Sequence, residues 1–115
     1  MPLDLLSYIY YNDSMNEASK YEVIETDVFK EWHKNISDPI SHQIITAQIL
    51  KLENGNFANT KSLDNGLYET KIKKGAGFRL YFINRSKKII ILLCGGDKST
   101  QRADIKNARK MAKEI

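Results

Sequence analysis

The run SLDNGLYETKIKKGAGFRLYFINRSKKIIILLCGG, residues 62–96, decides the fold. Its apolar residues recur every second position, the period of a half-buried strand. In LYETKIK, Tyr68, Thr70 and Ile72 point one way while Glu69, Lys71 and Lys73 point the other. In FRLYFI, Phe78, Leu80 and Phe82 face the core, and Arg79 and Tyr81 face away. IIILLC, residues 89–94, is apolar throughout, as in a central strand covered on both faces. Gly75-Ala76-Gly77 and Asn84-Arg85-Ser86 separate the three strands. Connections this short require antiparallel neighbours, so the run predicts a three-stranded meander.

The period changes on either side of this run. KYEVIET, residues 20–26, reads as a short N-terminal strand in which Tyr21, Val23 and Glu25 alternate with Glu22 and Ile24. Asp27 is placed to cap a helix carrying Val28, Phe29, Trp32 and Ile36 on one stripe. Asp38-Pro39 starts a second helix, and Asn54-Gly55 ends it. Ile40, Ile44 and Ala47 are its expected inner face. Two helices with a short connection form an antiparallel hairpin. Residues 99–114 read as a closing helix with Ile105, Ala108, Ala112 and Ile115 inward. The expectation is an α+β domain over residues 21–115. Residues 1–20 form a separate, flexible leader, and Met15 is a candidate alternative start.

Composition narrows the class. The net charge is +4, but residues 1–65 carry 5 Lys/Arg against 10 Asp/Glu, and residues 66–115 carry 13 against 4. One basic surface facing an acidic partner is expected, with a nucleic acid backbone first and an acidic protein segment second. Cys94 is the lone cysteine and lies in an apolar run, which suits a reduced, cytoplasmic protein and a poor nucleophile. The N-terminus has no basic region ahead of its apolar residues, so no signal peptide is expected. No apolar run approaches the roughly 20 residues that span a bilayer. His33 and His42 stand nine apart on or near different helices and do not form a metal motif. No metal or other cofactor is expected.

GGDKS, residues 95–99, invites comparison with a phosphate-binding loop. That motif needs a further upstream glycine and Gly-Lys-Ser/Thr without an interruption; here Asp97 intervenes. Gly95 and Gly96 are instead expected to turn a buried strand sharply, with Asp97 or Ser99 capping the helix beyond. Gly75 to Gly77 is too short for a dinucleotide fingerprint and lies between antiparallel strands. The alternation gathers Lys71, Lys73, Arg79 and Tyr81 on one sheet face, with Lys98 emerging nearby. Lysine and arginine suit phosphates, and an exposed tyrosine suits stacking on a base. A solvated sheet face is the plain alternative.

KLENGNF, GLYETKIKKGAGFRLYF and IILLCGGDKSTQRADIKNARKMAKEI together resemble the RelE/HigB-type toxin superfamily, in its branch of addiction-module killer proteins. The resemblance spans residues 21–115. It implies the RelE-like α+β domain already outlined and a small mRNA interferase, acting on mRNA on the ribosome. It also implies a cognate antitoxin of helix-turn-helix type, with operator DNA bound only through that antitoxin. Arg79 matches the family's arginine at the scissile phosphate, and Lys98 matches the lysine of its GGDK segment. Lys71 stands where many relatives carry arginine, so charge is kept and the planar fork is lost. Arg79, Lys98 and Lys71 are the expected catalytic set. Lys73, Tyr81, Lys61, Gln101 and Arg102 are the expected RNA contacts. Some superfamily members poison gyrase instead of cutting RNA, so a toxin that does not cleave, or a pure binding module, is the competing reading.

Overall fold

The computed structural model describes residues 20–115. The leader and Met15 therefore lie outside the described residues, Lys20 excepted. The elements run β1 (Glu22–Glu25), α1 (Asp27–Lys34), α2 (Pro39–Glu53), β2 (Thr60–Ser62), β3 (Leu67–Lys71), β4 (Arg79–Arg85) and β5 (Ile89–Gly96). A 3-10 turn (Lys98–Thr100) then leads into α3 (Gln101–Glu114). The expected meander is present as β3, β4 and β5, all antiparallel. It extends to a five-stranded mixed sheet in the order β1-β5-β4-β3-β2. β1 joins the edge parallel to β5, and the short β2 joins the other edge antiparallel to β3.

Thr26, rather than Asp27, caps α1. Its hydroxyl accepts from the Phe29 amide at 3.0 Å and donates to the Leu93 carbonyl at 2.7 Å. One side chain thus satisfies a free helix donor and ties the helix to β5. Asp38 caps α2 by accepting from the Ser41 amide and hydroxyl, with Pro39 in the first turn. The buried residues of α2 are Ile45, Gln48 and Leu52. Ile40 is 68% exposed and Ala47 is exposed, so the inner face expected from Ile40, Ile44 and Ala47 is rotated. Apolar residues surround this helix, and its own periodicity does not choose a face.

The sheet is covered on both sides. On one face, Phe29, Ile45 and Leu52 of the helices pack with Ile72, Phe78, Leu80, Phe82, Ile90 and Leu92. On the other, Ala108 of α3 packs with Leu67, Tyr81, Ile83, Leu93 and Cys94. Strand alternation supplies both sets. A bulge passes from the Tyr81–Cys94 pair to the Phe82–Leu92 pair and leaves Leu93 as the extra residue. Leu93 and Cys94 therefore both join the α3 side. Among the described residues, no helix is long and apolar enough to cross a membrane.

Candidate functional site

The site is built where β3 ends, β4 begins and β5 ends. Arg79 pairs across the sheet with Lys71 on one side and Gly96 on the other. The Gly75–Gly77 turn brings Lys98 in beside it. Gly77 has φ +72°, and a Cβ there would lie 3.5 Å from Arg79 Nη1 and 3.7 Å from Lys98 Cβ. Glycine suits this position by its conformation, since a Cβ there would make only ordinary contacts. Three segments that each carry a cation thus converge at one end of the sheet.

Arg79 is only 5% exposed. Its Nη1 donates to the Gly77 carbonyl at 2.6 Å, and its Nε is buried with no partner among the described residues. No carboxylate forms an ion pair with it among the described residues, where Lys61–Glu69 is the ion pair found. A buried charge without an opposite charge is unfavourable, and an anion bound there would relieve it.

Lys98 opens the 3-10 turn. Asp97 holds that turn by accepting from the Ser99 amide at 2.8 Å and the Ser99 hydroxyl at 2.6 Å. Thr100 Oγ1 accepts in return from the Asp97 amide at 3.2 Å, a reciprocal capping box. These bonds, led by the Ser99 hydroxyl, hold the Asp97 carboxyl below its ordinary value. The two glycines before it do not make the turn, because both lie within β5. They leave space instead. A Cβ on Gly95 would meet the Trp32 ring at 2.3 Å, and one on Gly96 would meet Asp104 Oδ2 at 1.8 Å.

Glu69 is the residue the alternation pattern placed on this face without a role. It is 4% exposed, opposite Tyr81 on β4 and Lys61 on β2. Its carboxylate accepts from Gln101 Nε2 at 2.9 Å and lies 3.6 Å from Lys61 Nζ. Lys61 and Gln101, both expected to touch RNA, are therefore gathered around one buried acid. Arg102 is exposed on the first turn of α3. Lys73 is exposed on the β3–β4 loop and lines a separate groove against α2.

Tyr81 corrects the sequence reading. It is fully buried, so its ring has no free face on which to stack a base. The alternation was right about which way it points, but that side of the sheet is covered by α3. Its hydroxyl makes no well-aligned hydrogen bond among the described residues, with the Glu69 carboxylate its candidate acceptor. Burial, followed by the Glu69 charge, raises the phenol above its ordinary value and keeps it protonated. Cys94 behaves similarly: burial, with the Asp104 charge second, pushes its thiol up to about 12. Little thiolate exists at neutral pH, which makes Cys94 a poor nucleophile.

Among the described residues, no three His, Cys, Asp or Glu side chains are grouped to hold a metal. His33 and His42 do meet, with rings stacked 4.1 Å apart, and the His33 ring also bonds Thr46. This contact joins α1 to the α2 region and lies outside the cationic cluster.

Residues 27–114 match the family model described as "Phage derived protein Gp49-like (DUF891)". The chain belongs to this family. The Gp49-like family is one of RelE/addiction-module killer type toxins. An uncharacterized protein of Haemophilus influenzae is 39% identical to this Gp49-like chain over 94 residues, spanning 82% of this chain and 95% of its own. One chain of the crystal structure of the intact E. coli RelBE toxin–antitoxin complex shares the fold, with a TM-score of 0.52 at 16% identity. That likeness covers 67% of this chain and 95% of the other. On this toxin fold, the Arg79, Lys71 and Lys98 cluster is suited to hold a phosphate and to oppose negative charge developing on it.

Proposed function

We propose that this Gp49-like toxin is an endoribonuclease that cuts mRNA during translation and is neutralised by a cognate antitoxin. The observation that carries the reading is Arg79: a buried guanidinium with an unpartnered Nε, beside Lys71 and Lys98. The ribose 2′-oxygen attacks the adjacent phosphorus, and the bond from phosphorus to the 5′-oxygen breaks. A 2′,3′-cyclic phosphate and a free 5′-hydroxyl result. The proton lost from the 2′-hydroxyl needs an acceptor, and the departing 5′-oxygen needs a donor. Arg79 opposes the charge that builds on the phosphate oxygens. Lys71 and Lys98 add to that stabilisation, and their side chains are the groups assigned to exchange those protons. The antitoxin follows from family membership and from the toxin–antitoxin complex that shares the fold. A helix-turn-helix partner that carries the pair to operator DNA completes the reading.

Primer extension on a translated mRNA after toxin induction tests this. New discrete 5′ ends are expected with the wild type. Arg79→Ala should reduce them by about 10²–10³-fold, the effect of removing one donor to a developing oxyanion. Its circular dichroism melt should show that it remains folded. No new ends, together with gyrase-linked DNA damage, would replace this reading with the gyrase-poisoning one. Undiminished cutting by Arg79→Ala would remove Arg79 from the site.

A further inference from the structure

A second basic feature lies beside the cluster and shares only Lys71 with the chemistry above. A groove of about 200 Å³ runs between α2 and the β3–β4 loop. Lys51 of α2, Lys71 at the end of β3, and Lys73 and Lys74 of the loop all line it, with Gln48 and Asn59 between them. No carboxylate lines it, and none of these lysines is in an ion pair among the described residues. Its walls are fastened to each other. Gln48 is 8% exposed and donates to Thr70 Oγ1 at 3.2 Å, which pins α2 to β3. The Lys71 amide donates to the Asn59 carbonyl at 3.0 Å, which fixes the strand end.

We infer that this groove is the path of the RNA backbone as it leaves the Arg79 site. The inference rests on the ribonuclease reading and adds the route of the strand to it. Lys71 links the two places, as the cross-strand partner of Arg79 and as one wall of the groove. Four like charges held together repel one another, and a bound polyanion turns that repulsion into attraction. Lysine is a point charge without arginine's bidentate fork, and no aromatic ring lines the groove. The contact is therefore with phosphates and is indifferent to base identity. An acidic protein segment would satisfy the charge equally. The shared Lys71 favours RNA, because it stands both opposite Arg79 and in the wall of the groove.

The test uses the double variant Lys51→Ala/Lys74→Ala; neither residue takes part in the proposed chemistry, and both are exposed. Binding of a 2′-O-methyl oligonucleotide, which cannot be cleaved, is measured against salt and compared with a 2′-O-methyl dinucleotide. For the longer strand, the slope of log affinity against log salt should fall in magnitude by about 1.4, from two lost phosphate contacts at about 0.7 each. Dinucleotide binding should not change. An unchanged slope with the long strand would overturn the proposal. So would equal losses for both lengths, or weakened binding of an acidic antitoxin segment with the RNA slope intact. A wild type that cuts no RNA, while the slope difference persists, would remove the ribonuclease reading and leave the groove as an RNA-binding surface.

Discussion

The two faces of the sheet are built by the same strands and do different work. The face under α1 and α2 is almost wholly apolar and aromatic. Its buried polar pair, Gln48 and Thr70, is hydrogen-bonded. The face under α3 buries Glu69, Arg79 and Tyr81, and both Arg79 Nε and the Tyr81 hydroxyl lack partners among the described residues. Asn84 Oδ1, towards the far end of β4, is the matching exception on the apolar side. An unsatisfied buried polar group costs about 1–3 kcal/mol. The α1/α2 face therefore pairs most of the polar groups it buries, whereas the α3 face leaves two buried polar atoms unpaired among the described residues.

The hardest test of this division is Phe29→Ala. Phe29 is fully buried in the apolar cluster, so truncation should cost about 3–5 kcal/mol in denaturant unfolding. RNA cutting per folded molecule should stay near wild type. A small stability loss with a large activity loss would mean that the apolar face shapes the site directly.

Asp97→Ala comes next, at about 1 kcal/mol for a lost cap, read as a lower melting temperature. The Asp97 carboxyl is held below its ordinary value of 3.8, so its contribution is present above that pH and fades as pH falls below it. The difference between variant and wild type should therefore shrink in acid. A difference that stays constant below pH 3.8 would show that the carboxylate is not the stabilising species.

The smallest change is expected for Tyr81→Phe. Removing a buried hydroxyl without a well-aligned partner should be neutral or stabilise by up to about 1 kcal/mol. Destabilisation by more than that, measured by thermal melting, would show that the hydroxyl has found a partner and that the α3 face is better satisfied than described.

Much of this architecture is legible in particular residues. The turn glycines and the two-residue period predict β3, β4 and β5, and Asp38-Pro39 marks the start of α2. The pairing of Arg79 with Lys71 is also legible, because the meander must return Arg79 beside Lys71. Readings went astray where packing made the choice, Val28 and Ile115 among them, both expected inward and both exposed. The inner face of α2 is set by the Gln48–Thr70 bond and by Ile45 and Leu52, which an evenly apolar helix does not reveal. Tyr81 was read as exposed because strand alternation gives a side chain's direction but not what covers it. Gly95 and Gly96 were read as turn formers, whereas their role is to admit Trp32 and Asp104 from distant segments.

The sequence by itself determined the three meander strands, the start of the second helix and the toxin family resemblance. All of these depend on neighbours within a few residues, or on a motif read in order. Tertiary structure alone decided that α3 closes over Tyr81, that Glu69 draws Lys61 and Gln101 together, and that Lys51 of the acidic half joins three lysines of the basic half in one groove. The reason is physical: burial and electrostatic environment are set by whatever packs opposite a side chain, and here that is contributed by residues far away in the chain.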